Sequence, residues 1–286
     1  MLSFSPITDN SVPIALIHNK RNDNLIYLTP DADKTLSRKL KKYDYSEESC
    51  DNSEEETNDE SSEDKSTFKK INLDDYSYSQ RFSIIPNIKG SDKIYIAAPS
   101  GAGKTTLIGD YVSYYIKLFP EKKIFLFSDV NHDEILDKYT TIQRIKLDDA
   151  FLERNLHPEE ISDSLCIFDD IDSTQNKKIL KVIQTLRDSV LMRGRHEGIS
   201  HVIITNHLLT DYKNTRVTLN EMSMIILFPS AGAPASIKYV LKNYVGLEMK
   251  QIKSIKKLNS RWLAFKMTAP QVMISENKAI ILNQLE

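Results

Sequence analysis

The sequence predicts an α/β protein with a mostly parallel sheet covered by helices on both faces. Three observations predict it. From about residue 81 onward, short apolar runs alternate with amphipathic stretches of helical length. The first run leads straight into a Gly-containing turn and a helix, and a later one ends in two adjacent carboxylates.

The chain has 286 residues, 40% hydrophobic and 27% charged, enough for one large domain or two small ones. No apolar run approaches the roughly 18 residues a bilayer span needs, and no signal-like start is visible, so membrane and secreted classes are excluded as expectations. The two cysteines, Cys50 and Cys166, are too few for a disulfide framework or a four-ligand zinc site, which points to a reducing compartment.

Three segments are expected: residues 1–43 as a small N-terminal β segment, 44–67 as a disordered acidic linker, and 68–286 as the catalytic domain. In the first, VPIALI and LIYL read as a hairpin too small to fold alone, which either joins the main sheet or contacts a neighbouring subunit. Residues 44–64 hold eleven Asp/Glu and no Lys/Arg. Without them, 38 Lys/Arg face 29 of the 40 Asp/Glu, a balance of +9 that suits a polyanionic partner.

Strands are expected at residues 94–98, 124–128, 165–168, 202–205 and 224–228, and helices at 105–118, 177–193 and 236–244. After the first strand, Ala98-Pro99-Ser100-Gly101-Ala102-Gly103-Lys104-Thr105-Thr106 fits G-x-x-x-x-G-K-[ST] with alanine for the first glycine. This is expected to mark a P-loop NTPase, and the strand that intervenes before the acid pair described next suggests the RecA-like, ASCE type. Residues Pro99 to Thr106 form the loop around the phosphates, those from Ser100 onward offering backbone N–H groups, at a helix N-terminus whose dipole favours anions. Lys104 supplies charge to the β- and γ-phosphates of ATP, and Thr105 supplies a hydroxyl to the accompanying Mg²⁺. Alanine is tolerated at position 98 provided its φ is negative.

The run Ser164-Leu165-Cys166-Ile167-Phe168-Asp169-Asp170 has the form of a Walker B strand. Asp169 is expected to hold Mg²⁺ through water, and Asp170 to orient or deprotonate the attacking water. A strand intervenes at 123–128, so the acid-bearing strand is expected beside the phosphate-loop strand rather than beside its successor in sequence. The strand at 201–205 ends in Asn206-His207, where Asn206 is taken as the γ-phosphate sensor and His207 is the alternative. Arg216, in a polar loop at 211–220, is the candidate to meet transition-state charge from a neighbouring subunit, with Arg195 second.

With these motifs, the Gly194-Arg195-His196 tripeptide, the strand VIIT and Thr215-Arg216, the chain resembles the FtsK–HerA class of viral genome-packaging ATPases, most closely its poxvirus and giant-virus branch. The resemblance covers roughly residues 94–282. It implies a homo-oligomeric ring that hydrolyses ATP to move double-stranded DNA into a capsid, meeting a capsid or portal protein, in the host cytoplasm or virion. It supports Lys104, Thr105, Asp169 and Asp170, and Arg216 less directly. The family sensor is usually glutamine, from which Asn206-His207 departs.

The C-terminal part admits two readings. Helices at 236–244 and 248–258, the second carrying Lys250, Lys253, Lys256 and Lys257, followed by two strands within 262–282, outline a winged helix-turn-helix. The preferred reading makes them the end of the ATPase core, with residues 261–267 its last strand. A small-molecule kinase and a nucleotide-gated scaffold are the alternative functions.

Overall fold

The structure, a computed structural model, describes residues 1–18, 23–29, 81–207 and 214–282. The expected acidic linker lies outside them.

The main sheet has nine strands. In chain order they are β5 (Asp92–Ala97), β6 (Lys123–Ser128), β7 (Ile142–Lys146), β8 (Ser164–Asp169), β9 (His201–Asn206), β10 (Met224–Leu227), β11 (Leu263–Lys266), β12 (Val272–Ser275) and β13 (Ala279–Ile281). In space they run β13-β12-β11-β10-β5-β9-β8-β6-β7, parallel from β10 to β7 and antiparallel from β10 to β13. The chain is therefore an α/β P-loop NTPase fold.

The order corrects one expectation. The acid-bearing strand β8 does not lie beside the phosphate-loop strand β5, because β9 pairs with both and stands between them. Strand β8 keeps its partner β6 on the other side. The acids reach the loop by leaning over the end of β9, as described below.

The helices are α1 (Lys104–Leu118), α2 (Asp149–Arg154), α3 (Lys177–Arg193), α4 (Asn214–Asn220), α5 (Pro234–Asn243) and α6 (Met249–Lys256). Helix α1 buries Ile108, Tyr111, Val112 and Tyr115, a stripe at i, i+3, i+4 and i+7, against Ile94, Ile96, Leu126, Ile167 and Ile203 of the sheet. On the opposite face, Tyr95, Phe127, Phe168 and Ile204 pack with Ile183, Leu186 and Val190 of α3 and with residues of α5 and α6. Strand alternation thus assigns each residue near a strand end to one helix face, which decides the site.

The N-terminal residues form their own sheet rather than extending the main one. Strands β1 (Leu2–Ser3), β2 (Val12–His18), β3 (Asn24–Leu28) and β4 (Arg81–Ile84) lie in the order β1-β3-β2-β4, all antiparallel. The strand β4 lies beyond the acidic segment in sequence, so the hairpin is completed by a distant strand. Its buried Ile14, Ile17, Ile26 and Phe82 join the same core as α1, and this burial supplies what an isolated hairpin lacks.

The C-terminal region belongs to the ATPase core, as preferred, but residues 261–267 do not hold its last strand. Strands β12 and β13 continue the sheet beyond β11. Trp262 is buried at 8% exposure. Among the described residues no helix is long and apolar enough to cross a membrane.

Candidate nucleotide-binding site

The turn between β5 and α1 lies at the carboxyl edge of the parallel strands, where open α/β sheets bind ligands. Gly101 has φ 77° and Gly103 φ 107°, a left-handed conformation costly for other residues. A Cβ added at Gly101 would meet nothing within 4 Å, whereas one at Gly103 would come within 2.7 Å of the Arg261 guanidinium. The loop is therefore open above Gly101 and closed beside Gly103. Ala98 is absent from the positive-φ residues, so the alanine fits where the pattern has glycine.

Lys104 is the first residue of α1, and only 7% of it is exposed. Its ammonium donates to the Ala98 carbonyl at 2.8 Å, sits 3.3 Å from Asp170 Oδ2 and lies 3.4 Å from His207 Nδ1. His207 Nε2 is in turn 3.2 Å from Asp170 Oδ2. A lysine from α1, an acid following β8 and an imidazole following β9 thus meet at one point. Thr105 is half-buried and Thr106 exposed at the open side.

The acids are held by a residue that sequence reasoning passed over. Thr205 is completely buried; its hydroxyl donates to Asp169 Oδ1 at 2.7 Å and accepts from the Asp170 backbone N–H at 2.9 Å. Ser128 donates to Asp169 Oδ2 at 3.3 Å. By alternation Ser128, Asp169 and Thr205 fall on the face of Leu126, Ile167 and Ile203, under α1. Asp170 takes a left-handed conformation, φ 48° and ψ 31°, which turns its side chain toward Lys104 instead of the α3 face. This is how the acid pair spans β9 to reach the loop.

Burial pushes the Asp169 carboxyl above its ordinary range, and the adjacent Asp170 charge adds to this, while Thr205, Lys104 and Ser128 oppose it. Asp170 Oδ1 is buried and has no hydrogen-bond partner. An orphaned carboxylate oxygen beside an acid that resists ionisation fits a missing cation or water. Asp169, and Thr105 in the first turn of α1, are the residues that would hold Mg²⁺. Among the described residues no three His, Cys, Asp or Glu side chains group into a metal site, so the remaining ligands would come from phosphate and water.

Asn206 and His207 part company. Asn206 follows the alternation of Val202 and Ile204 to the α3 face, where its amide donates to Asp172 Oδ2 at 3.0 Å and meets the buried Tyr95 hydroxyl. Burial, with the charge of Asp172 behind it, raises the Tyr95 hydroxyl well above its ordinary range. His207 is the member of the pair that reaches Lys104 and Asp170. Asp172 also accepts from Gln184 at 2.8 Å and lies 3.4 Å from the buried Arg187, which ties the end of β9 to α3.

Neither arginine candidate joins this cluster within the chain. Arg216 was expected in a loop; it lies in α4, exposed, close enough to Tyr244 for its charge to act there. The helix follows from Thr215 and Thr218 being buried against the core, which a polar count of the segment does not reveal. Arg195 is exposed in the short turn Gly194–Glu197, at the opposite edge of the sheet, where the Asp163 N–H donates to the Glu197 carbonyl just before β8. The other cysteine of the pair being undescribed, Cys166 is a buried free thiol whose pKa is pushed up to about 12 by burial.

The fold is that of a P-loop NTPase in which β9 separates the phosphate-loop strand β5 from the acid-bearing strand β8. The chain is 39% identical over 201 residues to the uncharacterized protein V3 of Sputnik virophage, covering 70% of this chain and 80% of that one. It belongs to the family of that virophage protein. No family model matches the chain. Similar solved structures include the genome-packaging NTPase B204 of Sulfolobus turreted icosahedral virus 2 with ATPγS. That comparison gives 16% identity, covers 68% of this chain and 98% of that one, and has a TM-score of 0.45. The pCW3 conjugation coupling protein TcpA with ATPγS gives 14% identity, 95% and 78% coverage, and a TM-score of 0.44.

Proposed function

We propose that the chain is an ATP-hydrolysing motor that translocates double-stranded DNA and packages a viral genome into capsids. The observation that carries this reading is the contact of Lys104 with Asp170 at the Gly101–Gly103 turn, with Asp169 near enough for both charges to act on it. Support for DNA as the cargo comes from the +9 balance outside the acidic segment, from the motif resemblance and from membership of a virophage protein's family.

In this reading the loop amides take the β-phosphate and Lys104 exchanges Asp170 for phosphate oxygens. That exchange frees Asp170 Oδ2, which then accepts a proton from the attacking water. Thr105 and Asp169 would hold Mg²⁺, which would supply positive charge to the phosphates. His207, already beside both Lys104 and Asp170, takes the sensor role in preference to Asn206. Asn206 and Asp172 then carry the state of the β9 end to α3. Arg216 completes a neighbouring subunit's site in a homo-oligomeric ring that works with a capsid or portal protein in the host cytoplasm or virion.

Steady-state ATP turnover with and without long double-stranded DNA tests this. Wild type is expected to be stimulated by DNA. Asp170→Asn and Arg216→Ala should each be inactive alone, and mixing them should restore turnover at interfaces that combine an intact Asp170 with a neighbour's intact Arg216. Turnover indifferent to DNA and to both substitutions would reject the motor.

A further inference from the structure

The order of the sheet gives the bound triphosphate a direction. Asp170 and His207 stand on the β8–β9 side of Lys104, so the terminal phosphate points that way. The other end of the ligand must leave past Thr106, over β10 and β11. There the structure has a cleft open to solvent, lined by Arg81, Phe82, Thr106, Phe228, Arg261 and Glu276 among others. We propose that this cleft takes the base and ribose of the nucleoside triphosphate, and that one wall of it is supplied by the N-terminal sheet. The inference rests on the reading that the Gly101–Gly103 turn binds phosphate.

Two segments distant in sequence are tied together around the cleft by one residue. The Glu276 carbonyl accepts from the Phe82 N–H at 2.8 Å, and its carboxylate accepts from the Arg261 N–H at 2.8 Å. Arg261 also donates to the Ala102 carbonyl of the phosphate loop at 3.4 Å, and its guanidinium lies over Gly103. Thus β4, the β12–β13 turn and the phosphate loop form one frame. Arg81 and Arg261 are both exposed at its mouth, and a planar guanidinium stacks on an aromatic base and donates to ribose or α-phosphate oxygens. A carboxylate with one oxygen committed to Arg261 retains acceptor capacity for ribose hydroxyls.

The test compares Mg²⁺–ATP with inorganic tripolyphosphate, which has the phosphates and lacks the nucleoside, by calorimetric titration of the full chain. Arg81→Ala is expected to weaken ATP about tenfold, the size of a stacked guanidinium contact, with tripolyphosphate affinity unchanged. Arg261→Ala should weaken both, because it also touches the loop. Equal ATP affinity in wild type and Arg81→Ala, or an equal loss for tripolyphosphate, would overturn the assignment. Lys104→Ala separates the two levels: loss of both ligands there, with Arg81→Ala without effect, keeps the phosphate loop and rejects the cleft, whereas no effect of Lys104→Ala rejects both. Photolabelling of the unmutated chain by 8-azido-ATP gives an independent reading. Label within residues 81–85 or 261–262 is expected, and label confined to other segments would overturn the proposal.

Discussion

The two flanks of the phosphate loop differ in kind. On the β8–β9 flank the charged groups lie close together and mostly out of solvent: Lys104 is buried against Asp170, Asp169 is held by Thr205 and Ser128, and the exposed His207 reaches Asp170 from outside. On the β10–β11 flank the charges are exposed arginines at the rim of an open cleft, where Glu276 holds the Arg261 and Phe82 backbone N–H groups. A buried, prepaired cluster costs no reorganisation when charge develops, which suits the reacting end of a ligand. An open rim of guanidinium groups suits the end that enters and leaves. The contrast teaches that the polarity of the bound nucleotide is written into the sheet order, with β9 and β10 on opposite sides of β5.

The contrast breaks most visibly at Asp170. Replacing it by Asn should lower ATP turnover by about 10² to 10⁴ while nucleotide affinity is retained, measured by steady-state hydrolysis and titration. Comparable turnover would place the general base elsewhere.

The support beneath the acids gives the next effect. Thr205→Val removes the donor to Asp169 and the acceptor for the Asp170 N–H, leaving two buried groups unsatisfied, so denaturant unfolding should show a loss of about 2–4 kcal/mol. An unaltered midpoint would mean that water replaces the hydroxyl.

Glycines on the two sides of the loop sharpen the comparison further. Gly103→Ala combines strain at φ 107° with a clash against Arg261, and Gly101→Ala meets strain alone. The first should cost about 2 kcal/mol and the second about 1 kcal/mol in thermal or denaturant unfolding. A larger loss at Gly101 would contradict the closed and open sides assigned here.

The smallest effect is on pH dependence. Asp169 has a folded-state pKa above its unfolded value, so the folded chain holds this proton longer. Stability is therefore lost as pH rises from the unfolded value near 3.8 up through the raised folded value, and the loss is complete above it. Asp169→Asn should flatten that part of the stability–pH curve and raise the unfolding midpoint at neutral pH. A curve identical to wild type would show that another group carries the dependence.

How much of this was legible depended on whether the signal was local. The phosphate loop and the acid pair are each contiguous in sequence, and the structure places Lys104 3.3 Å from Asp170 Oδ2. The choice between Asn206 and His207 had a signal that went unused. Counting by twos from Ile203 puts Thr205 under α1 and Asn206 on the α3 face, which identifies Thr205 as the partner of Asp169. Strand order had no local signal, because the insertion of β9 between β5 and β8 is decided by pairing of distant segments. The same holds for β4, which leaves the main domain's sequence to complete the N-terminal sheet, and hence for Arg81. Strand β7 was missed because IQRIK alternates at a half-exposed edge, where the apolar pattern is weakest. The helix at α4 was missed because its apolar positions, Val217 and Leu219, are few and only the second is buried.

The central claim is that one sheet edge gathers an ammonium, a hydroxyl and two acids around a single triphosphate. A crystal structure with Mn²⁺ and a non-hydrolysable ATP analogue tests it most directly through the anomalous signal of the metal. The account predicts the ion bonded to the Thr105 hydroxyl at about 2.1 Å, with Asp169 reaching it through water and Lys104 moved from Asp170 to phosphate oxygens. A metal bound away from Thr105, with the Lys104–Asp170 pair still closed, would contradict it.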